Sequence, residues 1–126
     1  MTLHDNQPAA KINIFDVEHC PVTATMEVIG GKWKLLIVHL INNDVRRFGK
    51  LSMVLRQISR QMLTTQLRDL ESNGIIERVI YSEIPPRVEY FLTEKGKALI
   101  PVLEALKDWG LLFEMNTAPQ QTAIAG

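Results

Sequence analysis

The sequence predicts a mainly α-helical domain with one small β-hairpin. Apolar residues recur at helical spacing in several stretches of the chain. Two runs rich in β-branched residues, 75–81 and 88–92, flank a connector made stiff by Pro85 and Pro86, as expected for a hairpin. The chain has 126 residues, of which 46% are hydrophobic, and this is the size and composition of a single globular domain.

Residues that favour helix ends bound the predicted helices before the hairpin. Pro21 begins the first helix, because its missing N–H costs nothing at the first helical position, and Gly30 and Gly31 end it. The second helix covers residues 32–42, and after a turn at 42–44 a short helix covers residues 49–55. The residues predicted to be buried in these two helices are apolar and helically spaced: Trp33, Leu36, Ile37, Leu40, Leu51, Val54 and Leu55.

A long amphipathic helix is predicted over residues 59–73. Ser59 caps its N-terminus, and Asn73 with Gly74 ends it, since glycine adopts the left-handed conformation at little cost. The helical period gives it two faces, an apolar one with Leu63, Leu67 and Leu70 and a polar one with Gln61, Thr64, Thr65 and Arg68.

After the hairpin, Thr93 caps a last helix that is predicted over residues 94–115. Pro101 lies inside this helix and predicts a kink or a split. The resulting order is helix, short helix, turn, long helix, hairpin and helix. This is the order of a winged helix-turn-helix, in which the long helix enters the major groove of DNA and the hairpin forms the wing.

Positive charge is concentrated in one part of a chain that is neutral overall. The chain has 14 Lys and Arg residues and 14 Asp and Glu residues. Between Asp44 and Asp69 it has no acidic residue but carries Arg46, Arg47, Lys50, Arg56, Arg60 and Arg68. A stretch of one sign focuses a positive field on one surface and indicates a polyanionic partner. We therefore interpret the helix over residues 59–73 as a recognition helix for double-stranded DNA.

Four segments of the chain resemble one family of bacterial regulators. They are CPVTATMEVIGGKWKLLIVHLI (20–41), RRFGKL (46–51), ISRQMLTTQLRDLESNGIIERVIYSEIPPRVEYFLTEKGKAL (58–99) and PVLEALKDWG (101–110). In these segments the chain is similar to the HxlR-type winged helix-turn-helix regulators of the MarR-like superfamily. The resemblance implies a homodimeric transcription factor that binds a palindromic operator, often as a repressor, and that dimerises through its N-terminal and C-terminal helices.

The recognition helix supplies most of the predicted DNA contacts: Ser59, Arg60, Gln61, Thr64, Thr65 and Arg68. Arg and Gln side chains can form two hydrogen bonds to guanine or adenine, respectively. Ser59 is placed at a phosphate, because a helix N-terminus favours an anion. Arg60 lies on the flank of the polar face and also suits a phosphate.

Cations outside the recognition helix are further candidates for phosphate contacts: Arg46, Arg47, Lys50 and Arg87. The first three precede the short helix, which in this fold crosses the DNA backbone. Arg46 or Arg47 can equally pair with Asp44 or Glu77. Arg87 lies beside the rigid Pro85 and Pro86, so the wing presents this cation at a low entropic cost.

The predicted dimer interface is the apolar face of the last helix, with Leu103, Leu106, Trp109 and Phe113. These side chains present more apolar surface than one small domain can cover, and a two-fold axis would bury it. We interpret Trp33 and Trp109 as packing residues and not as platforms for a ligand.

Cys20 has two interpretations. It comes immediately before a helix start, where backbone N–H groups stabilise a thiolate, and beside His19, which can carry a positive charge. The resemblance implies a redox sensor, because some HxlR-type regulators sense oxidants, quinones or aldehydes with a cysteine at this place. A lone cysteine would then act through an intersubunit disulfide or a mixed adduct. The alternative is a small buried residue at the helix cap.

Residues for catalysis, a metal or a cofactor do not occur at the required spacing. A phosphate-binding loop around Gly31 would need a glycine in place of Met26 and a Ser or Thr in place of Trp33. The three histidines, at positions 4, 19 and 39, share no metal-ligand spacing. We therefore expect no enzyme activity, no metal and no cofactor.

The predicted domain covers residues 19–115, between a flexible leader at 1–18 and a flexible tail at 116–126. No apolar run approaches the roughly 20 residues needed to cross a bilayer. Residues 1–18 lack the pattern of a secretion signal. We therefore expect a cytoplasmic protein that does not bind membranes.

Two alternatives stand beside a dimeric DNA-binding regulator. Some winged helices bind protein instead of DNA, but this would need an apolar outer face on residues 61–68, where the sequence is polar. A small molecule can also gate such a regulator from a pocket between helices, lined here by Met26, Trp33 and Trp109.

Overall fold

The computed structural model describes residues 11–115 of the chain. It confirms the predicted fold class, a mainly helical domain with a two-stranded antiparallel hairpin. Its elements are α1 (Pro21–Ile29), α2 (Lys34–Asn42), α3 (Phe48–Leu55), α4 (Arg60–Ser72), β1 (Ile76–Tyr81), β2 (Arg87–Leu92), α5 (Glu94–Lys97) and α6 (Ile100–Gly110). A 3-10 turn (Val17–His19) precedes α1, and a π-helical turn (Leu111–Met115) follows α6. Residues 1–10 of the predicted leader and the predicted tail, 116–126, lie outside the described residues.

The core lies where α2, α3 and α4 meet the first strand. Its buried residues are Ile37, Val38, Ile41, Leu51, Ile58, Leu63, Leu67, Leu70, Ile75 and Ile76. The predicted inward face of α4 is confirmed, since Leu63 and Leu70 are fully buried and Leu67 is 2% exposed. These three leucines fix the rotation of α4 about its axis and turn its opposite face to solvent.

The prediction of burial is wrong for two residues: Leu36 is 43% exposed and Val54 is 44% exposed. Six of the nine residues of α2 are apolar in the segment KLLIVHLIN, so its periodicity does not single out one face. The helix turns Ile37, Val38 and Ile41 inward instead. In the short α3, Leu51 is buried, and Val54 lies to the side of the surface that packs on the core.

Capping residues stand at the helix termini that the sequence predicts. The Ser59 hydroxyl oxygen accepts a hydrogen bond from the Met62 N–H at 2.9 Å, and the Thr93 hydroxyl oxygen accepts one from the Gly96 N–H at 3.0 Å. Gly74 follows α4 with a φ of 74°, the left-handed conformation that favours glycine. The local sequence therefore determines both ends of the recognition helix.

The last predicted helix is split, as Pro101 indicated. α5 ends at Lys97 and α6 begins at Ile100, so Pro101 lies in the first turn of α6, where its missing N–H leaves no hydrogen bond unmade. The short α5 packs closely against the start of the hairpin. Gly96 lies so near the Ile75 carbonyl oxygen that a Cβ atom would overlap it.

The hairpin is tied to the segment before α3. β1 and β2 pair in antiparallel register, with Ile76 opposite Leu92 at the open end. The Tyr90 N–H donates a hydrogen bond to the Arg46 carbonyl oxygen at 2.9 Å. This bond holds the wing beside the N-terminus of α3, and therefore beside the cationic stretch of the sequence.

Candidate nucleic-acid interface

The outer face of α4 carries the polar residues that the sequence assigned to base contacts. Gln61, Thr65 and Arg68 are exposed. Thr64 is half-buried, and its hydroxyl donates to the Arg60 carbonyl oxygen at 2.9 Å, so its proton is already used within the helix. Gln61, Thr65 and Arg68 are thus the side chains of the predicted face that can turn their donors outward.

The N-terminus of α4 combines a cap with a stacked cation. Ser59 uses its hydroxyl oxygen on the Met62 N–H, which leaves the hydroxyl proton to donate elsewhere. The Arg60 guanidinium lies over the Phe48 ring, 4.7 Å from the ring centroid. Phe48 thereby links the start of α4 to the start of α3. The aromatic support under Arg60 was missed in the sequence, because the two residues are far apart along the chain.

Three of the predicted phosphate contacts are held in ion pairs. Arg46 Nη2 lies 2.9 Å from Asp44 Oδ1, the pairing with Asp44 that the sequence left open. Arg47 Nε lies 3.7 Å from Glu89 Oε2, and not beside Glu77. We call the three arginines and three carboxylates of this network the wing cluster: Asp44, Arg46, Arg47, Glu83, Arg87 and Glu89.

Arg87 is the most constrained member of the wing cluster. Its Nη2 lies 3.0 Å from Glu83 Oε2, and its Nη1 lies 3.2 Å from Glu89 Oε2. The guanidinium also stacks over the Tyr81 ring at 3.9 Å, and Arg46 stacks in the same way on Phe91 at 4.6 Å. Three positive and three negative charges make the cluster neutral, so the wing does not present the free cation that the sequence predicted.

The remaining cations between Asp44 and Asp69 differ from the arginines of the wing cluster in having no carboxylate nearby in the described part of the chain. Within residues 11–115, no carboxylate oxygen lies within 4.0 Å of Lys50, Arg56, Arg60 or Arg68. We call these four residues the open cations. Arg56 ends α3 with a φ of 56°, which directs the chain into the turn before α4. The positive field of the site therefore comes from α3, this turn and the outer face of α4.

A tyrosine on the wing lies among charges at the junction with α4. Burial raises the pKa of the Tyr90 hydroxyl above its usual value, and the neighbouring Arg78 and Arg68 charges oppose this rise. Arg78 Nε lies 3.7 Å from Glu71 Oε2, so it joins the wing to α4. Tyr90 is therefore a neutral phenol at physiological pH.

An apolar surface covers α6 and the turn that follows it. Leu106, Trp109 and Phe113 are 51%, 57% and 58% exposed, and the two rings lie 5.6 Å apart between centroids. Leu103, which the sequence grouped with them, packs instead on the core of its own domain. Further exposed apolar residues, not predicted from the sequence to lie at the surface, occur towards the two ends of the described chain: Ile14, Phe15, Val17, Val22, Met26, Leu111, Leu112 and Met115.

Cys20 is the half-buried N-cap residue of α1, and its side chain makes no capping hydrogen bond there. His19, which we expected to act on the thiol, turns its ring to another partner. Its Nδ1 lies 3.0 Å from the Asp16 Oδ1. The imidazole is thus held by a carboxylate that the sequence analysis did not consider.

Two apolar grooves lie between helices of the domain. One, of about 250 Å³, lies between α1 and α5 beside Val28 and Leu99, and the other, of about 310 Å³, lies between α2 and α6 beside Leu36 and Leu106. Neither groove is lined by Met26, Trp33 or Trp109, the three residues of the alternative with a small-molecule pocket. Within residues 11–115 there is no cluster of three or more metal-ligating side chains and no helix able to span a membrane.

Comparison with known proteins agrees with this geometry. A family model for the HxlR-like helix-turn-helix matches residues 28–118. The chain is 49% identical over 96 residues to the HTH-type transcriptional regulator YdeP of Bacillus subtilis (strain 168), a match that covers 75% of this chain and 74% of YdeP.

Solved structures with the same fold include two regulators. The redox regulator HypR in its oxidized form matches with a TM-score of 0.70 and 44% identity, over 72% of this chain and 94% of HypR. The reduced form of the transcriptional regulator YodB from B. subtilis matches with a TM-score of 0.66 and 35% identity, over 77% of this chain and 96% of YodB. The chain therefore belongs to the HxlR-like helix-turn-helix family, a family of DNA-binding transcriptional regulators.

Proposed function

We propose that the protein is a homodimeric repressor that reads a palindromic operator with the outer face of α4. The observation that carries this proposal is the contrast between the two faces of that helix. Leu63, Leu67 and Leu70 anchor it to the core, while Gln61, Thr65 and Arg68 project to solvent. A rigid helix with exposed long donors is what direct reading of base edges requires.

The positions of the open cations support phosphate contacts on both sides of this helix. Lys50 lies in the first turn of α3, and Arg60 lies in the first turn of α4. Both helix N-termini add partial positive charge from unpaired backbone N–H groups. Cations at the start of both helices would hold the two strands that border the major groove, while the residues farther along α4 contact bases.

The apolar surface of α6 supports a dimer. Trp109 and Phe113 form an aromatic pair that is more than half exposed, and such residues are frequent at the centres of protein interfaces. A two-fold axis through this surface would place the two recognition helices about 34 Å apart, at successive major grooves. Occupation of the operator by such a dimer is sufficient for repression, and the proposal needs no cofactor.

Separate substitutions of a base-reading and a phosphate-binding residue test this assignment. We expect Arg68→Ala to lower the preference for a selected operator over a scrambled duplex by about 5-fold to 150-fold for each half-site that the dimer contacts, since one two-bond base contact is worth about 1–3 kcal/mol. Lys50→Ala should weaken binding to both duplexes equally and leave the preference unchanged. Fluorescence anisotropy on duplexes selected by the wild-type protein from a random library measures both quantities.

Lys97→Ala is a matched control, because Lys97 is an exposed lysine of α5 that pairs with Glu94 at 3.3 Å. This variant should bind both duplexes like the wild type. If Arg68→Ala and Lys50→Ala changed both affinities by the same factor, the assignment of α4 as the reading helix would be wrong. Wild-type protein that retained no DNA but captured a protein partner would instead favour the protein-binding alternative.

A response to oxidants is a second proposal, favoured by the similarity to HypR, a redox regulator. Cys20 lies at the start of α1, next to residues with large apolar exposure such as Val17 and Val22. In a dimer, two Cys20 thiols would give up two protons and two electrons to diamide and form one intersubunit disulfide, while diamide is reduced to the hydrazine. The new bond would move one protomer against the other and change the spacing of the recognition helices.

Diamide should therefore release the wild-type protein from its operator and leave Cys20→Ser bound. Non-reducing electrophoresis should show a covalent dimer for the wild type only, and dithiothreitol should restore its binding. Release of both proteins, or of neither, would make Cys20 a structural cap residue, the alternative that the sequence left open.

A further inference from the structure

An acidic side chain lies between two arginines of the wing cluster. Glu89 lies on β2, and its side chain is 18% exposed. Its Oε2 atom faces both Arg47 Nε, at 3.7 Å, and Arg87 Nη1, at 3.2 Å. It also lines an open pocket, together with Asp44, Arg46, Arg47 and Lys50. A carboxylate at this position repels the phosphates that the surrounding residues attract, so its presence requires an explanation.

The two ion pairs of Glu89 are not needed to stabilise the wing. The hairpin already has a full antiparallel register, and Tyr90 joins it to Arg46 by a backbone hydrogen bond. Ion pairs at partly exposed sites contribute little to folding. Glu89 does, however, face two long side chains at once, Arg47 with 57% and Arg87 with 30% of the side chain exposed, and so restricts the directions that they sample.

We propose, on the basis of the DNA-binding function above, that Glu89 is a specificity-determining residue of this regulator. It holds Arg47 and Arg87 in fixed directions, and together with Glu83 it neutralises their charges. A mobile guanidinium can reach a phosphate wherever the protein sits along the duplex, because the phosphates of the DNA backbone repeat at every nucleotide. A clamped guanidinium reaches one only in registers that bring a phosphate to it. Glu89 therefore suppresses binding to non-cognate DNA, which depends on phosphate contacts alone.

Glu83 extends the clamp at the tip of the wing. Its Oε2 atom lies 3.0 Å from Arg87 Nη2, and its side chain is 50% exposed. Because it holds only one of the two arginines and is more hydrated, its effect should have the same direction and a smaller size.

The test compares wild type, Glu89→Gln and Glu83→Gln on an operator selected by the wild-type protein and on a scrambled duplex of equal length. Glu89→Gln should bind the scrambled duplex about tenfold more tightly and the operator less than about threefold differently, so the preference falls. On the scrambled duplex, the slope of log K against log salt concentration should steepen by about 2 per dimer, for one added phosphate contact in each protomer.

Glu104→Gln serves as the control for the loss of one negative charge, since Glu104 pairs with Lys107 on α6, away from the wing. It should change neither affinity nor slope. Equal changes of both affinities in Glu89→Gln would overturn the inference, because Glu89 would then act only on general attraction or on the shape of the wing. If Glu89→Gln failed to fold, Glu83→Gln decides: an unchanged preference would overturn the inference.

The outcome for the wild type separates this inference from the proposed function. If the wild type and Glu89→Gln discriminate equally well between the two duplexes, the role of Glu89 is overturned, but the proposed function is not. A wild-type protein that selects no sequence overturns the proposed function and the role of Glu89 with it.

Discussion

The affinity of the protein for its operator should fall about a thousandfold when the salt concentration rises from about 50 to about 200 mM. The physical reason is the release of counterions from each phosphate that a protein cation neutralises. Each protomer carries four open cations: Lys50, Arg56, Arg60 and Arg68. If about six of the eight cations in a dimer contact phosphates, log K falls with log salt concentration at a slope of about −5.

Titration of a fluorescent operator duplex at several salt concentrations measures this slope. Arg60→Ala, which removes the cation stacked on Phe48, should reduce the slope by about 2, one contact for each protomer. Lys97→Ala should leave the slope unchanged. A slope near zero for the wild type would contradict phosphate binding and would favour a protein partner. A slope much steeper than −8 would mean that the arginines of the wing cluster leave their carboxylates to contact phosphates.

The recognition helix is the element that the sequence predicts best. Its limits depend on local chemistry, the Ser59 cap and the Gly74 conformation, which act within one turn of the helix ends. Its orientation depends on three leucines at helical spacing, against which Met62 is the single apolar residue elsewhere on α4. For α2, where six of nine residues are apolar, the same periodicity failed to predict that Leu36 is exposed.

The charges of the candidate site were less predictable than the helix that carries them. Arg47 meets Glu89 at 3.7 Å although 41 positions separate them, because the Tyr90 N–H bonds to the Arg46 carbonyl and draws β2 to this segment. A run of cations without an acid in the sequence therefore does not guarantee an unpaired cationic surface. Tertiary contacts decided which arginines remain open, and these contacts have no signature in local spacing.

The exposed aromatic pair of α6 leads to the second large expected effect. Trp109→Asp should convert the proposed dimer to a monomer and weaken operator binding by at least about a hundredfold. An interface with two-fold symmetry contains each substitution twice, and a central tryptophan is commonly worth about 2 kcal/mol or more. The dissociation constant of the dimer should therefore rise about a thousandfold. A monomer then binds only one half-site and loses the high effective concentration of the second recognition helix.

Sedimentation velocity at micromolar protein concentration and anisotropy on the operator duplex check both parts of this expectation. A point substitution is a sharper test than removal of residues 101–126, because Leu103 packs on the core and the deletion would also remove contacts within the domain. Ile80→Asp is the matched control, since Ile80 is an exposed apolar residue of β1, 62% exposed, that lies on the wing. The control should remain a dimer. A Trp109→Asp variant that also sediments as a dimer and binds the operator like the wild type would remove α6 from the interface, and the exposed apolar residues before and within α1 would become the surface to examine next.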